Sequence, residues 1–177
     1  MLRSFALIAT LVPATVFAAG GDSTSAPKPS ETTTTCSDGQ IWDTGSQSCV
    51  DVKSDLLNDD TLYGAVREFA YAGQYDHAQA ALAQMSDPKD DRVLTYMGFT
   101  TRKMGDVPGG MAFYQQAIAQ NPGNILARSY MGQALVEQGN LADAKDQLSA
   151  IQEAGGKGTW AETSLSQAIL TGKTYSY

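Results

Sequence analysis

From about residue 59 onward, apolar and polar positions follow the period of a helix, interrupted by short breaks of Gly, Asp, Asn and Pro. The breaks predict seven helices, over 60–72, 75–86, 91–104, 107–120, 125–138, 141–153 and 160–171. Asp106 and Asn140 stand where N-caps belong, and Thr159 followed by Glu162 predicts a capping box for the last helix. Pro122 and Gly123 stop the fourth. Loops this short make each helix antiparallel to its neighbour. Near the start the pattern is different. Residues 5–17 are apolar apart from Thr10, Pro13 and Thr15, with Arg3 before them and small residues at the end, Val16-Phe17-Ala18. This reads as a secretory signal peptide over 1–18, cut after Ala18. A membrane span needs about 20 apolar residues, more than this stretch or any later one offers, so no membrane insertion is expected.

Between the two patterned regions lie two others. Residues 19–35 are rich in Gly, Ser, Thr and Pro, including four threonines in a row at 32–35, and read as a flexible linker. Residues 36–50 form a small module bounded by Cys36 and Cys49, the chain's two cysteines. In an oxidising compartment such a pair predicts a disulfide, stabilising by about 3 kcal/mol in the chain-entropy model. Zinc is a poor alternative without nearby His, and the spacing is not that of a redox motif. Asp38-Gly39 and Thr44-Gly45 signal turns, so the module reads as a clipped hairpin. Trp42 within it is either a lid on a tiny core or a platform for a sugar ring.

The helical region repeats itself. Tyr96-Met97-Gly98 returns as Tyr130-Met131-Gly132 at an offset of 34 residues, and Gly105 returns as Gly139. Leu94, Met97, Gly98, Gly110, Tyr114 and Pro122 fall in one unit. Arg128, Met131, Gly132, Leu135, Ala144 and Leu148 fall in the next, and Leu62, Ala65, Val66, Phe69, Ala78 and Leu82 in the one before. These positions resemble the tetratricopeptide repeat (TPR) signature, over residues 59–156. The match is incomplete: Thr101 occupies a Tyr slot, Gly156 a Pro slot and Val66 the Gly slot of the first unit. The resemblance implies an all-α, right-handed helix-turn-helix solenoid of three TPR-like repeats, preceded by the disulfide-clipped loop. Residues 157–177 supply a capping helix and tail, with Trp160, Leu165 and Ile169 at helical spacing to cover the last repeat.

In this family the first helix of each pair lines a concave groove. The resemblance thereby places Tyr63, Arg67, Tyr71, Arg92, Tyr96, Phe99, Arg102, Lys103, Tyr130 and Gln133 there as a partner-binding set. Aromatic and Arg side chains anchor partners, and cations on one face of an acidic protein suggest an acidic or carboxylate-bearing peptide. The alternative is that the Tyr rings pack between helices and the Arg groups meet neighbouring acids. Two Asn positions of the family's carboxylate clamp hold Arg67 and Tyr96, so that specificity is not implied.

The formal charge is −7, and loss of Arg3 with the signal makes it −8. Diffuse acidity argues against a nucleic-acid partner, which requires clustered Lys and Arg. The single His, His77, is expected to face solvent, and no catalytic or phosphate-binding motif is present. No metal, cofactor or enzymatic activity is therefore expected. The expected role is a periplasmic or secreted adaptor that holds a protein or peptide partner in its groove. The alternative is an envelope protein whose clipped module makes a weak glycan contact.

Overall fold

The computed structural model describes residues 25, 26 and 28–175; the signal peptide expected over 1–18 lies outside them. A short helix α1 (Glu31–Thr34) and a hairpin of β1 (Ile41–Asp43) and β2 (Ser48–Val50) come first. Seven longer helices follow: α2 (Asp59–Tyr71), α3 (Tyr75–Leu82), α4 (Asp91–Lys103), α5 (Val107–Gln120), α6 (Ile125–Glu137), α7 (Leu141–Glu153) and α8 (Trp160–Thr171). The fold is a helical solenoid of three TPR-like pairs, α2–α3, α4–α5 and α6–α7, closed by α8. Helix starts are fixed locally. Asn58, Asp90, Asp106, Asn124, Asn140 and Thr159 each accept a first-turn amide with the side chain. The capping box forms only by half, because Glu162 takes the Gly158 amide at 2.7 Å and not that of Thr159. Helix α3 ends one turn earlier than the sequence predicts. After Leu82 the chain tightens to three-residue hydrogen bonds, and Asp59 takes the Ser86 amide at 3.0 Å.

The 34-residue recurrence has a physical cause. Gly105 and Gly139 close the turns inside the second and third pairs with φ of +104° and +75°, a region L-residues avoid. Gly98 serves closeness instead. A Cβ there would sit 2.6 Å from the Tyr114 ring and 3.0 Å from the Gly110 carbonyl, so α4 and α5 cross almost backbone to backbone. In the third pair Gly132 makes room for Leu165 of α8, whose side chain lies 2.6 Å from where a Cβ would be.

The N-terminal module is part of the stack. Ile41 is 1% exposed and shares one core with Leu62, Val66, Phe69 and Ala78. The disulfide joins Cys36, just past α1, to Cys49 in β2, with Cα atoms 5.5 Å apart; across the hairpin Cys49 faces Trp42. Glu31–Thr34, inside the stretch expected to be a flexible linker, are helical and docked. The buried Glu68 carboxylate of α2 accepts the amides of Ser30 (2.6 Å) and Thr33 (2.9 Å) together with both hydroxyls. His77, expected to face solvent, meets the edge of Phe69 at 5.6 Å, and its ring lies so close to Gly39 that a Cβ there would clash. The hairpin thus caps the first repeat as α8 caps the last.

Candidate functional site

Helix α2 packs on α4, α4 on α6 and α6 on α8, so these four form the inner layer of the solenoid. The five aromatic residues of the expected partner-binding set project from that layer into one cluster, with Arg92, Arg102 and Lys103 over its rings. Tyr63 meets Tyr96 edge-on at 5.6 Å, Tyr71 stacks on Phe99 at 5.8 Å, and Phe99 tilts against Tyr130 at 4.8 Å. The hydroxyls of Tyr71, Tyr96 and Tyr130 satisfy one another. Tyr71 bonds to Tyr130, Tyr96 reaches Tyr130 at 3.4 Å, and the Trp160 indole N–H donates to Tyr71 at 3.4 Å. The cluster therefore bridges the first repeat, the third and the cap.

This closeness corrects the expectation of an open groove. Tyr63, Tyr71, Tyr96, Phe99 and Tyr130 are all buried, with Tyr96 fully enclosed. The rings fill the concavity, because three repeats curve enough for side chains of the first and third to meet. Burial pushes the Tyr96 and Tyr130 hydroxyls well above their usual range and that of Tyr114 up to about 12. Gln133 is also buried, but between helices. Its amide nitrogen lies 3.4 Å from the hydroxyls of Ser129 and Ser164, which sit 3.1 Å apart at the α6–α8 contact.

The cations divide. Arg92 lies 5.0 Å above the Tyr63 ring and forms ion pairs with Asp60 and Asp90, both at 3.2 Å. Hydrogen bonding to Asp90 is what raises its pKa. Arg102 is buried against Glu137 at 2.6 Å and also reaches the Tyr114 hydroxyl at 3.3 Å. Both are engaged by the chain's own acids, so the expectation that they attract an acidic peptide loses its support. Arg67 donates to the Ser25 carbonyl at 3.4 Å. Lys103 lies 5.8 Å from the Phe99 centroid and donates to the Tyr175 carbonyl at 3.0 Å. Burial first, and Arg102 next to it, lower the Lys103 pKa.

Sequence reasoning did not place the segment after α8. The chain leaves α8 through Gly172 at φ +70° and doubles back over the inner layer. Thr174 bonds to Glu137, and the Tyr175 hydroxyl bonds to Gln167 of α8. The Tyr175 ring stands edge-on to Trp160 at 4.7 Å. Trp160, expected as an end cap, is instead the wall where this segment meets the tyrosine cluster. Two tyrosines beyond a helix-stopping Gly were the available signal, since aromatic rings seldom stay in water when apolar surface is within reach.

Among the described residues no group of three or more His, Cys, Asp or Glu is placed to hold a metal ion, and no helix is long and apolar enough to cross a membrane. Comparison with known proteins agrees with the fold. Residues 101–162 match the family described as Tetratricopeptide repeat. The TPR repeat-containing thioredoxin TTL4 of Arabidopsis thaliana is 30% identical over 119 residues, covering 66% of this chain. The match spans 17% of that relative's length. No solved structure matches. Tetratricopeptide repeats are in general protein–protein interaction modules, built so that stacked helix pairs offer one long curved face.

Proposed function

We propose that the chain is an exported adaptor, periplasmic or secreted, that holds an extended segment of a protein partner against its inner layer. One observation carries this reading. A non-helical stretch of main chain, residues 173–175, already lies on that face, its Tyr175 carbonyl held by Lys103 and its neighbouring side chain by Glu137. A surface that offers a donor to a main-chain carbonyl and an acceptor to a side chain of one segment can offer them to another. In this reading the partner lies above the filled concavity, along the rim formed by Lys103, Glu137, Trp160 and Gln167. In the clipped module Ile41 is committed to the core, and Trp42 is half-buried with its backbone amide donating to Thr32, so nothing in the module favours the glycan reading over the adaptor. Export rests on the signal-like residues 1–18 and on the disulfide.

Site-specific photo-crosslinking in the native host tests the reading. A crosslinker at the exposed Gln167 should capture one protein that a crosslinker at the exposed Gln116 of α5 does not. Equal capture from both positions would overturn it. Fractionation of the same cells, with the mass of the mature chain, tests export and cleavage after Ala18.

A further inference from the structure

The segment on the inner layer is held by chemistry specific enough to describe what else could take its place. Three kinds of contact position it. A main-chain carbonyl accepts from Lys103. A hydroxyl side chain, Thr174, donates to Glu137, whose other carboxylate oxygen is fixed by Arg102 at 2.6 Å. A phenol, Tyr175, places its ring against Trp160 and its hydroxyl on Gln167. Beneath the segment Arg102 and Glu137 are paired with each other, and Lys103 directs its ammonium at the main-chain carbonyl, so recognition depends on directed hydrogen bonds and ring packing.

We propose, resting on the adaptor reading above, that this rim recognises a hydroxyl–aromatic pair, Ser or Thr followed by Tyr, in a partner protein. The chain's own Thr174–Tyr175 occupies the site in cis, as a competitor that the partner must displace. The geometry of the pair sets the specificity. Glu137 and Lys103 end adjacent helices, α6 and α4, so one accepts from a side chain while the other donates to the next residue's carbonyl. Trp160 and Gln167 lie on one helix seven positions apart, two turns, and receive the ring and its hydroxyl. An Ala in the Thr174 position leaves Glu137 without that donor, and a Phe in the Tyr175 position leaves Gln167 without its partner.

The cis segment makes the site weak towards outside ligands by the fraction of time it is occupied. Removing it should therefore reveal binding. The probe is a fluorescein-labelled peptide with the sequence of residues 172–177, Gly-Lys-Thr-Tyr-Ser-Tyr. It is titrated by anisotropy against the full mature chain and against a chain truncated after Gly172. Circular dichroism and thermal melting confirm that the truncated chain folds. A second variant, Thr174→Val with Tyr175→Ala in the full chain, keeps the segment and removes its side-chain contacts. We expect both altered chains to bind the peptide at least tenfold more tightly than the full chain. A peptide carrying Val and Ala at the same two positions should not bind. Equal affinity for all three chains, or no binding to either altered chain, overturns the proposal. Should the Gln167 crosslink still capture a partner that excess peptide fails to displace, the adaptor reading stands and this inference fails.

Discussion

The two ends of the solenoid solve one problem in different ways. A stack of helix pairs leaves an apolar face at each end, and both must be covered. At the C-terminal end the cover is another helix. Helix α8 continues the series, and Leu165, fully buried, enters the space that Gly132 leaves. At the N-terminal end the cover is a hairpin with strands of three residues, clipped by one disulfide and placing Ile41 in the core. A helix brings its own hydrogen bonds and a full apolar stripe. A two-stranded hairpin is marginal alone, so this one depends on the disulfide and on Glu68. The N-terminal end is thus covered by a docked part and the C-terminal end by a continuation of the repeat.

The sharpest way to break this comparison is to make the same kind of cavity at each end. Leu165→Ala should cost about 2–5 kcal/mol, and the loss should appear as lower stability of the whole stack, because α8 is continuous with α6 and α7. Ile41→Ala falls in the same range on area grounds, yet its effect should be confined to the hairpin. Native-state hydrogen exchange distinguishes the two. After Leu165→Ala, protection should fall throughout α6, α7 and α8; after Ile41→Ala, it should fall in β1 and β2 while α4 and α6 keep theirs. Matching global losses from both variants would show that the hairpin is as integral as the helix.

Replacing both cysteines, Cys36→Ser with Cys49→Ser, should cost up to about 3 kcal/mol by the loop-entropy argument. A thermal melt that stays single and cooperative would contradict local docking. A small early transition followed by the main one would support it. Glu68→Gln should come next, at about 1–3 kcal/mol, since four donors from Ser30 and Thr33 converge on a carboxylate that Gln only half replaces. Limited proteolysis near residue 35 should become faster in that variant and not in Leu165→Ala.

The helices were legible because their signals are local. Caps, glycine turns and the period of the apolar positions are written within a few residues, and six of the seven predicted helices end within about a residue of where the sequence puts them. The glycines carried more than the aromatics did. Gly98 and Gly132 stood out by their 34-residue recurrence, and the structure puts Tyr114 and Leu165 against them. The site was less legible because its state depends on curvature, which no short window records. The sequence places Tyr71 and Tyr130 on equivalent faces of different repeats, but whether those faces stand apart or touch is set by how three pairs bend together. Here they touch, and a predicted groove is a filled one. The clipped hairpin was legible, but the docking of the segment before it was not. The composition of residues 30–34 suits a tether, and Glu68, the group that holds Ser30 and Thr33, lies in a helix more than 30 residues away.

The smallest expected effect concerns the segment over α8, and it tests whether the C-terminal end also has a docked part. Glu137 accepts from Thr174 and from Arg102. Burial alone would raise its pKa, but the Thr174 bond and the Arg102 charge outweigh this and hold it below the ordinary 4.5. A carboxylate with a depressed folded pKa binds fewer protons folded than unfolded. Its contribution is fully present above about pH 4.5 and is lost as pH falls through the lower folded value. Lys103, whose charge also favours the Glu137 carboxylate, has its own pKa lowered from 10.5 by burial and by Arg102. Trp160 reports the event directly, because the Tyr175 ring stands against it. In a Trp42→Phe background, Trp160 emission should hold steady down to about pH 4.5 and shift below it, before the helices melt by circular dichroism. Asp43, Asp59 and Glu162 also have lowered pKa values and titrate in the same acid range. The control is therefore Glu137→Gln, in which emission should already be shifted at neutral pH and stay flat on acidification. An acid shift of equal size in that variant would assign the change to those other carboxylates, and the segment would then belong to the stack as firmly as α8 does.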